Sequence, residues 1–508
     1  MKIGLKIGVI GTGAMGRGIA QLFAQSGHSV LLHDSRAGAV TEARAAISKM
    51  WQSLVAKNKL TQSQVVDSTA RLHEVSALVG FAECDVVIEA IVEKLDAKQA
   101  LFAALESHVR ADCILASNTS SLAITDIART CAIPARVAGL HFFNPVPLMR
   151  VVEVIGGVRT DAAVCARLMQ LVGTTGHSAV RATDTPGFII NHAGRGFGTE
   201  ALRCLQERVA SISSIDAILR DQAGFRLGPF ELMDLTALDV SHPVMESIYN
   251  QYYQEPRYRP SPITAQRLSA GLLGRKTNAG FYTYTEGKKQ DPEADAQTHK
   301  PRKPAMPIAV HVAEYDPAQR DQIEHLLQDI SGLLSVSISN ATLILIAPLG
   351  LDVTAAAKAQ GLDASKTVGI DLLVNDAASK RRVLMTNPAT SAETRAAAVE
   401  LFTASLKPFS IVEDSAGFVT QRVLATIINI ACDMCQQGVT TPAELDMAVK
   451  LGLGYPIGPL AWGDLLEPAR VLATLEGIHA CTLDARYRPS PWLRRRAQLG
   501  LSLLHTST

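Results

Sequence analysis

The chain has 508 residues, 47% of them hydrophobic and 19% charged, with a formal net charge of +1. That balance excludes a polybasic nucleic-acid binder or an acidic tail and leaves a globular protein acting on a small molecule. No apolar run reaches the ~18–20 residues of a membrane helix, and the start lacks a leader pattern, so the reading is a cytoplasmic protein with no nucleic-acid or membrane partner.

The first element is a strand over 5–10 (LKIGVI), an apolar run that leads straight into Gly11-Thr12-Gly13-Ala14-Met15-Gly16. A helical pattern (RGIAQLFAQS) follows and stops at Gly27, and the next apolar run, 30–34, ends in Asp34. Gly11 permits the tight turn, Gly13 lets backbone approach a pyrophosphate, and Gly16 lets helix and strand pack closely. With Ala14 and Met15 they open a helix whose free N–H groups favour phosphate. Asp34, 18 residues after Gly16, is spaced to bond ribose hydroxyls, which favours NAD over NADP. Arg36 leaves some NADP tolerance open.

The stretch 40–66 reads as helix with Lys49, Lys57 and Lys59. A solvated charged face is the favoured reading, and contact with the phosphates of coenzyme A is the other. Strands follow over 86–89, 113–117, 136–140 and 151–155, with a helix over 93–106. This alternation implies a mostly parallel, doubly wound sheet with ligands at the carboxyl ends of its strands. Glu89, Ser117–Ser121 and His141 then share one crevice.

Alcohol oxidation by NAD needs a base for the hydroxyl proton. Histidine suits this role because its ordinary pKa is about 6.5. Glu153 stands in an apolar strand 12 residues after His141, and burial there is costly without a partner. The pattern leaves the pairing of these two residues open. His141 taken alone equally reads as a satisfied core histidine, and Glu153 as an edge-strand residue.

VIGTGAMGRGIAQ, EAIVEKLDAKQALF, ASNTSSLAITDIA, GLHFFNPVPLMRVVEVI and DTPGFIINHAG resemble the L-3-hydroxyacyl-CoA dehydrogenase family. The resemblance spans 7–194 in five segments and continues to about residue 284. It implies NAD as cofactor and an acyl-CoA thioester as substrate. It also implies that His141 is the general base, Glu153 its carboxylate partner, and Ser120 and Asn191 the groups on the substrate's oxygens. Asn144 is implied as a cofactor or supporting contact, and Glu93 and Lys98 as lining the cofactor. No metal site is implied. A helical substrate domain is expected to begin near 185–188 and close the cleft. In this sequence Asn191 precedes His192, where the family usually has arginine. Gly194, Gly196 and Gly198 thin the following helix, at about 1 kcal/mol each; the expectations are either close backbone packing or a widened acyl pocket.

The chain also repeats itself. DTPGF at 184–188 returns as DSAGF at 414–418, and GPFELMD at 228–234 as GPLAWGD at 458–464, both 230 positions on; RYRPSP at 257–262 returns 229 on. On that offset Gly369-Ile370-Asp371 aligns with Gly139-Leu140-His141, Ser120 falls on Gly350, and Asn191 on Gln421. The second copy is therefore expected to keep fold signals without catalysis or dinucleotide binding. The expected organisation is a Rossmann NAD-binding domain over 1–183, a helical domain over 184–285, a linker over 286–305, a degenerate Rossmann-like domain over 306–412 and a second helical domain over 413–508. In fold class, this is an α/β Rossmann domain followed by an all-α domain, with a second degenerate copy of both.

The eight cysteines include one C-x-x-C, Cys432 and Cys435, inside an apolar run that reads as core helix rather than a metal or redox site. Free thiols fit a reducing compartment. The resemblance further implies a chain that pairs its two helical domains internally, or else a homo-oligomer. The duplicated arrangement resembles bacterial enzymes of aromatic-acid catabolism, including the phenylacetate route, where the substrate is 3-hydroxyadipyl-CoA. Two other readings stand beside this one: a sugar-acid 3-hydroxy dehydrogenase of the same fold, and a non-catalytic CoA- or nucleotide-binding protein.

Overall fold

The computed structural model describes residues 4–290, 302, 304–313, 317–328, 330, 332–374, 379–405 and 407–506. Its residues form two compact units: Met1–His192 with Gln437–Leu453, and Ala193–Gln436 with Gly454–Thr508.

The first unit holds an eight-stranded sheet. Its strands are β1 (Lys6–Ile10), β2 (Ser29–His33), β3 (Leu72–Glu74), β4 (Val86–Glu89), β5 (Ile114–Ser117), β6 (Val137–His141), β7 (Val151–Gly156) and β8 (Ser178–Thr183), in the order β3-β2-β1-β4-β5-β6-β7-β8. All neighbours are parallel except β6 and β7. β1, β4, β5, β6 and β7 are buried on both faces, which explains their unbroken apolar runs. The order reverses between β1 and β4, so the crevice at a switch point opens at the ends of those two strands. Six strands sit within a residue of their sequence positions. β3 and β8 escape periodicity, because one is three residues long and the other alternates over only its last four positions.

The 40–66 stretch is two helices, Ala39–Ala56 and Gln62–Ala70. Asn58 adopts a left-handed φ of 54° between them, and Thr61 and Gln64 form a capping box that starts the second. A helix from the second half, Pro442–Leu453, also belongs to this unit. Thr183 N–H donates to the Val439 carbonyl at 2.9 Å, and Arg181 N–H to Glu444 Oε1 at 3.1 Å. The 413–508 boundary therefore does not describe one compact body.

The second unit holds the hairpin β9 (Thr283–Thr285) and β10 (Lys288–Gln290), so the expected linker loses its first residues to a strand. Residues 291–301 of that linker lie outside the described residues. A six-stranded sheet of β11 (Ile308–Val312), β12 (Leu333–Ser335), β13 (Leu343–Ile346), β14 (Thr367–Ile370), β15 (Arg382–Met385) and β16 (Phe409–Val412) runs in the order β12-β11-β13-β14-β15-β16. Its antiparallel step pairs Gly369 with Met385, as the first sheet pairs Gly139 with Ile155. Both partners are displaced by 230 positions, so the duplication preserves register.

Helix Arg195–Gln206 packs on helix Thr420–Gln436 within this unit. A Cβ on Gly196 would lie 3.1 Å from the Ile427 backbone, and one on Gly198 would lie 3.1 Å from Met233 Cε. The glycines serve close packing, which overturns the acyl-pocket expectation for these two; Gly194 instead caps the helix. Cys432 and Cys435 are buried in helix Thr420–Gln436. Burial pushes the Cys432 thiol well above its ordinary pKa, as befits core packing.

Arg422, at the offset of His192, sits at the centre of this contact. It bonds Glu200 at 2.7 Å, Glu207 at 2.7 Å and the Tyr487 hydroxyl at 2.8 Å, with Glu200 1% exposed. Removing one partner of a buried ion cluster strands the other charge. Arg422→Met is expected to lower unfolding free energy by about 3–5 kcal/mol, read from the urea midpoint at unchanged slope.

Candidate active site

The antiparallel pairing of β6 and β7 sets His141 directly opposite Glu153. His141 Nδ1–H donates to Glu153 Oε2 at 2.6 Å, and Glu153 is 0% exposed. The other carboxylate oxygen, Oε1, accepts the N–H groups of Ile189 and Ile190 at 2.9 and 2.8 Å. All three groups donate to the carboxylate, two to Oε1 and one to Oε2. The imidazole is buried, with Phe143 at 4.3 Å and Phe188 at 5.9 Å between ring centroids. Such a pair fixes the imidazole tautomer and leaves Nε2 as the atom that takes a proton.

Asn191 follows the segment that holds Glu153, and its Nδ2 donates to the Ser120 carbonyl at 3.5 Å. The expected Ser120 and Asn191 are thus brought together. The loop carrying Ser120 is gathered by Glu93, whose Oε1 accepts Thr119 Oγ1 at 2.6 Å, Ser120 N–H at 2.9 Å and Ser121 N–H at 3.1 Å. Although burial raises the Glu93 pKa, the Lys98 charge and these donors hold it below its ordinary value.

Lys98 differs from its expected place. Its side chain is 1% exposed and pairs with Glu89 at 2.6 Å and Glu93 at 3.2 Å. It lies behind the acidic loop rather than on an open wall. Glu89 also accepts Ser117 Oγ at 2.6 Å and Ile91 N–H at 2.7 Å. Asn118, within the Ser117–Ser121 segment expected at the crevice, accepts Phe142 N–H at 2.9 Å and so pins the residue after His141. Glu89, which closes the apolar strand β4, and Asn118 both lie at the strand ends expected to share the crevice.

At the switch point, Gly11 holds φ +90°, and a Cβ there would lie 2.5 Å from the Ala90 carbonyl oxygen. A Cβ on Gly16 would fall on the Gly11 carbonyl, whereas one on Gly13 would meet nothing within 4 Å. Gly13 thus leaves an open cradle at a helix start. The first intrahelical bond there is Arg17 N–H to Gly13 O, which leaves the N–H groups of Ala14, Met15 and Gly16 without intrahelical partners. Asp34 Oδ2 accepts Thr12 N–H and Thr12 Oγ1 at 2.8 and 2.9 Å, and Oδ1 accepts Arg36 N–H at 3.0 Å. Burial acts to raise the Asp34 pKa, but these donors hold it below its ordinary value. A cavity of about 630 Å³ lies at this point, bounded by Gly11, Gly13, Asp34, Ala90 and Val92. The residues present fit a dinucleotide: a phosphate cradle beside an anchored acid.

A second cavity of about 650 Å³ is bounded by Ala14, Arg17, Lys59, Asn144, Arg150 and His177. Asn144 is therefore near Ala14 at an exposed wall. Of the three lysines, Lys59 reaches this cavity, and all three are exposed. Among the described residues no group of three or more His, Cys, Asp or Glu is placed to hold a metal, and no helix is long and apolar enough to cross a membrane.

The corresponding place in the second sheet is filled differently. Asp371 stands at the position of His141, and its N–H donates to the carbonyl of Val383, which replaces Glu153. Gln421 Nε2 bonds Asp371 Oδ1 at 3.0 Å, and its Oε1 accepts Gly350 N–H at 2.8 Å. Burial pushes the Asp371 carboxyl upward.

The 3-hydroxyacyl-CoA dehydrogenase NAD-binding domain matches residues 6–185, and the C-terminal domain of the same name matches 187–284 and again 417–503. A 3-hydroxyadipyl-CoA dehydrogenase of Escherichia coli K12 is 36% identical over 97% of this chain and 97% of its own. A probable 3-hydroxybutyryl-CoA dehydrogenase of Deinococcus radiodurans is 40% identical over 55% of this chain and its entire length. The crystal structure of a 3-hydroxybutyryl-CoA dehydrogenase from Escherichia coli K12 superposes with a TM-score of 0.84 at 34% identity, covering 98% of this chain and 99% of that one.

Proposed function

This chain belongs to the 3-hydroxyacyl-CoA dehydrogenase family and carries out NAD-dependent oxidation of a 3-hydroxyacyl-CoA to the 3-oxoacyl-CoA; on that premise we propose that His141 is its general base and Glu153 the group that orients it. The observation that carries this assignment is the 2.6 Å Nδ1–Oε2 bond to a carboxylate held by two backbone N–H groups. Family membership displaces the sugar-acid and non-catalytic readings.

His141 Nε2 takes the proton of the substrate's 3-hydroxyl, and Glu153 stabilises the imidazolium that forms. NAD, when bound, supplies the acceptor for the hydride leaving the same carbon. Ser120 and Asn191 hold the substrate's oxygens, which keeps the hydroxyl in reach of His141. Phe143 and Phe188 exclude water around the ring, where electrostatic interactions strengthen. Glu93 and Lys98 are positioning residues: Lys98 fixes Glu93, and Glu93 fixes the 119–121 turn. Gly11, Gly13, Ala14, Met15 and Gly16 form the pyrophosphate cradle. Asp34 takes the ribose, and Asn144 borders the cofactor's approach.

Asp34 tests the cofactor assignment. Hydrogen bonds to a charged group contribute about 1.5–3 kcal/mol, so Asp34→Ala is expected to raise the KM for NAD by about 10- to 100-fold with a smaller change in kcat. The Arg36 guanidinium is forked onto Glu42 at 3.0 and 2.6 Å rather than onto Asp34, which supports the acid as the ribose contact of NAD. Lys59, Arg17 and Arg150 give the 650 Å³ cavity the positive charge that coenzyme A phosphates require.

The full-length likeness to a 3-hydroxyadipyl-CoA dehydrogenase supports 3-hydroxyadipyl-CoA as the substrate and a place in phenylacetate catabolism. Comparing kcat/KM for 3-hydroxyadipyl-CoA and 3-hydroxybutyryl-CoA tests this; preference for the four-carbon acyl group contradicts it. The packing of helix Arg195–Gln206 on Thr420–Gln436 supports a chain that pairs its own helical domains and is monomeric in solution. The free cysteines support a reducing cytoplasm. Asp371, Val383, Gly350 and Gln421 in place of the four functional groups support a second copy without catalysis.

A further inference from the structure

Catalysis in the first half depends on a short segment: Ile189 and Ile190 hold Glu153 with their N–H groups, and Asn191 follows directly. Behind this segment lies a residue of the second half. Gly452, in the last turn of helix Pro442–Leu453, faces Ile190. A methyl group on Gly452 would fall on Ile190 Cδ1 and would lie 3.1 and 3.2 Å from Cγ1 and Cγ2. The helix is fastened to β8 through Thr183–Val439 and Arg181–Glu444, so it cannot easily retreat from a larger side chain.

The same arrangement recurs 230 positions away, where it can be compared. Glu413 N–H donates to the Val209 carbonyl at 2.9 Å, as Thr183 does to Val439. Gln222 stands at the offset of Gly452, and Thr420 at that of Ile190. There the Thr420 hydroxyl donates to Gln222 Oε1 at 2.5 Å, and Gln222 also bonds Asp371, the counterpart of His141. Gln222 is 3% exposed. A side chain at this helix position therefore reaches from the residue behind the carboxylate-binding segment to the position of the base. In the second copy glutamine fills that ground; in the first, Gly452 has no side chain and Ile190 Cδ1 stands where its Cβ would be.

We propose that the second half supplies Gly452 to the first half's catalytic site as a positioning residue. Its missing side chain seats Ile190 so that Glu153 and Asn191 stay in register. The degenerate half is thereby a working part of the active unit. This inference rests on the assignment of His141 and Glu153 above.

The test uses the full chain with acetoacetyl-CoA and NADH, comparing wild type, Gly452→Gln, Gly452→Ala and Gly452→Ala combined with Ile190→Val. Ile190→Val removes Cδ1, the atom on which the added methyl falls. Because a misplacement of about 1 Å costs about a hundredfold in rate, Gly452→Gln is expected to lose about a hundredfold in kcat. NADH affinity should stay at the wild-type value. Gly452→Ala is expected to lose about tenfold, and Ile190→Val to restore most of that loss, which a general loss of stability would not allow. Gly452→Gln at wild-type kcat overturns the proposal. Should Gly452→Gln fail to fold, the alanine pair decides: wild-type kcat in Gly452→Ala, or a loss that Ile190→Val leaves untouched, overturns it. A wild-type chain without turnover strikes instead at the assignment of the site.

Discussion

Changing His141 to alanine is expected to lower kcat for 3-hydroxyacyl-CoA oxidation by about 10²–10⁴-fold, the range a positioned general base contributes, with NAD affinity unchanged. His141 is buried against Phe143 and Phe188, and its Nδ1 is committed to Glu153. Alanine removes the proton acceptor while leaving the cradle of Gly11, Gly13 and Gly16, which belongs to other strand ends. Steady-state rates measured beside an NADH binding titration separate the two effects. Equal losses in both would mean a collapsed site rather than a missing base.

Glu153→Gln is expected to cost about 10³–10⁴-fold in kcat, close to the effect of the isosteric change at the carboxylate of a Ser-His-Asp triad. The carboxylate accepts from His141 with one oxygen and from Ile189 and Ile190 with the other. A glutamine has one carbonyl oxygen and one amide nitrogen. If its oxygen faces Ile189 and Ile190, its NH2 confronts Nδ1 and forces the wrong tautomer. If it faces His141, two buried N–H groups lose their acceptor. Leaving buried polar groups unsatisfied costs about 1–3 kcal/mol each, so the variant is expected to melt lower as well. A thermal melt beside the kinetics distinguishes the tautomer effect from the stability loss. Wild-type kcat in a stable Glu153→Gln enzyme contradicts the orienting role.

Much of this site is legible in the sequence, because the chemistry imposes residue types that periodicity alone does not explain. A carboxylate in the middle of an apolar strand has to find a partner, and β6 and β7 place His141 opposite it. The glycines of the first turn are likewise readable, since Gly11 and Gly16 stand where a Cβ collides with backbone. What the sequence conceals depends on contacts between distant segments. Lys98 reads as a cofactor contact, but it is sealed between Glu89 and Glu93. Gly196 and Gly198 read equally as a widened pocket, and only the neighbouring Ile427 and Met233 decide for close packing. β8 is lost because its alternation of buried and exposed positions covers only four residues. Gly452 carries no signal by itself and gains one only beside Gln222 at the repeat offset. The repeat itself is plain in the sequence, yet the helix it delivers to the first sheet, Pro442–Leu453, crosses the boundary that the repeat suggests.

The claim that His141 and Glu153 act as one unit is tested most directly by a double-mutant cycle on kcat, with wild type, His141→Ala, Glu153→Gln and the double variant assayed for 3-hydroxyacyl-CoA oxidation. Residues acting as a unit give strongly non-additive losses. The expected result is a double variant no slower than His141→Ala alone, because a carboxylate with no imidazole to orient has nothing left to contribute. A double variant whose loss equals the product of the two single losses would contradict the pairing on which the account stands.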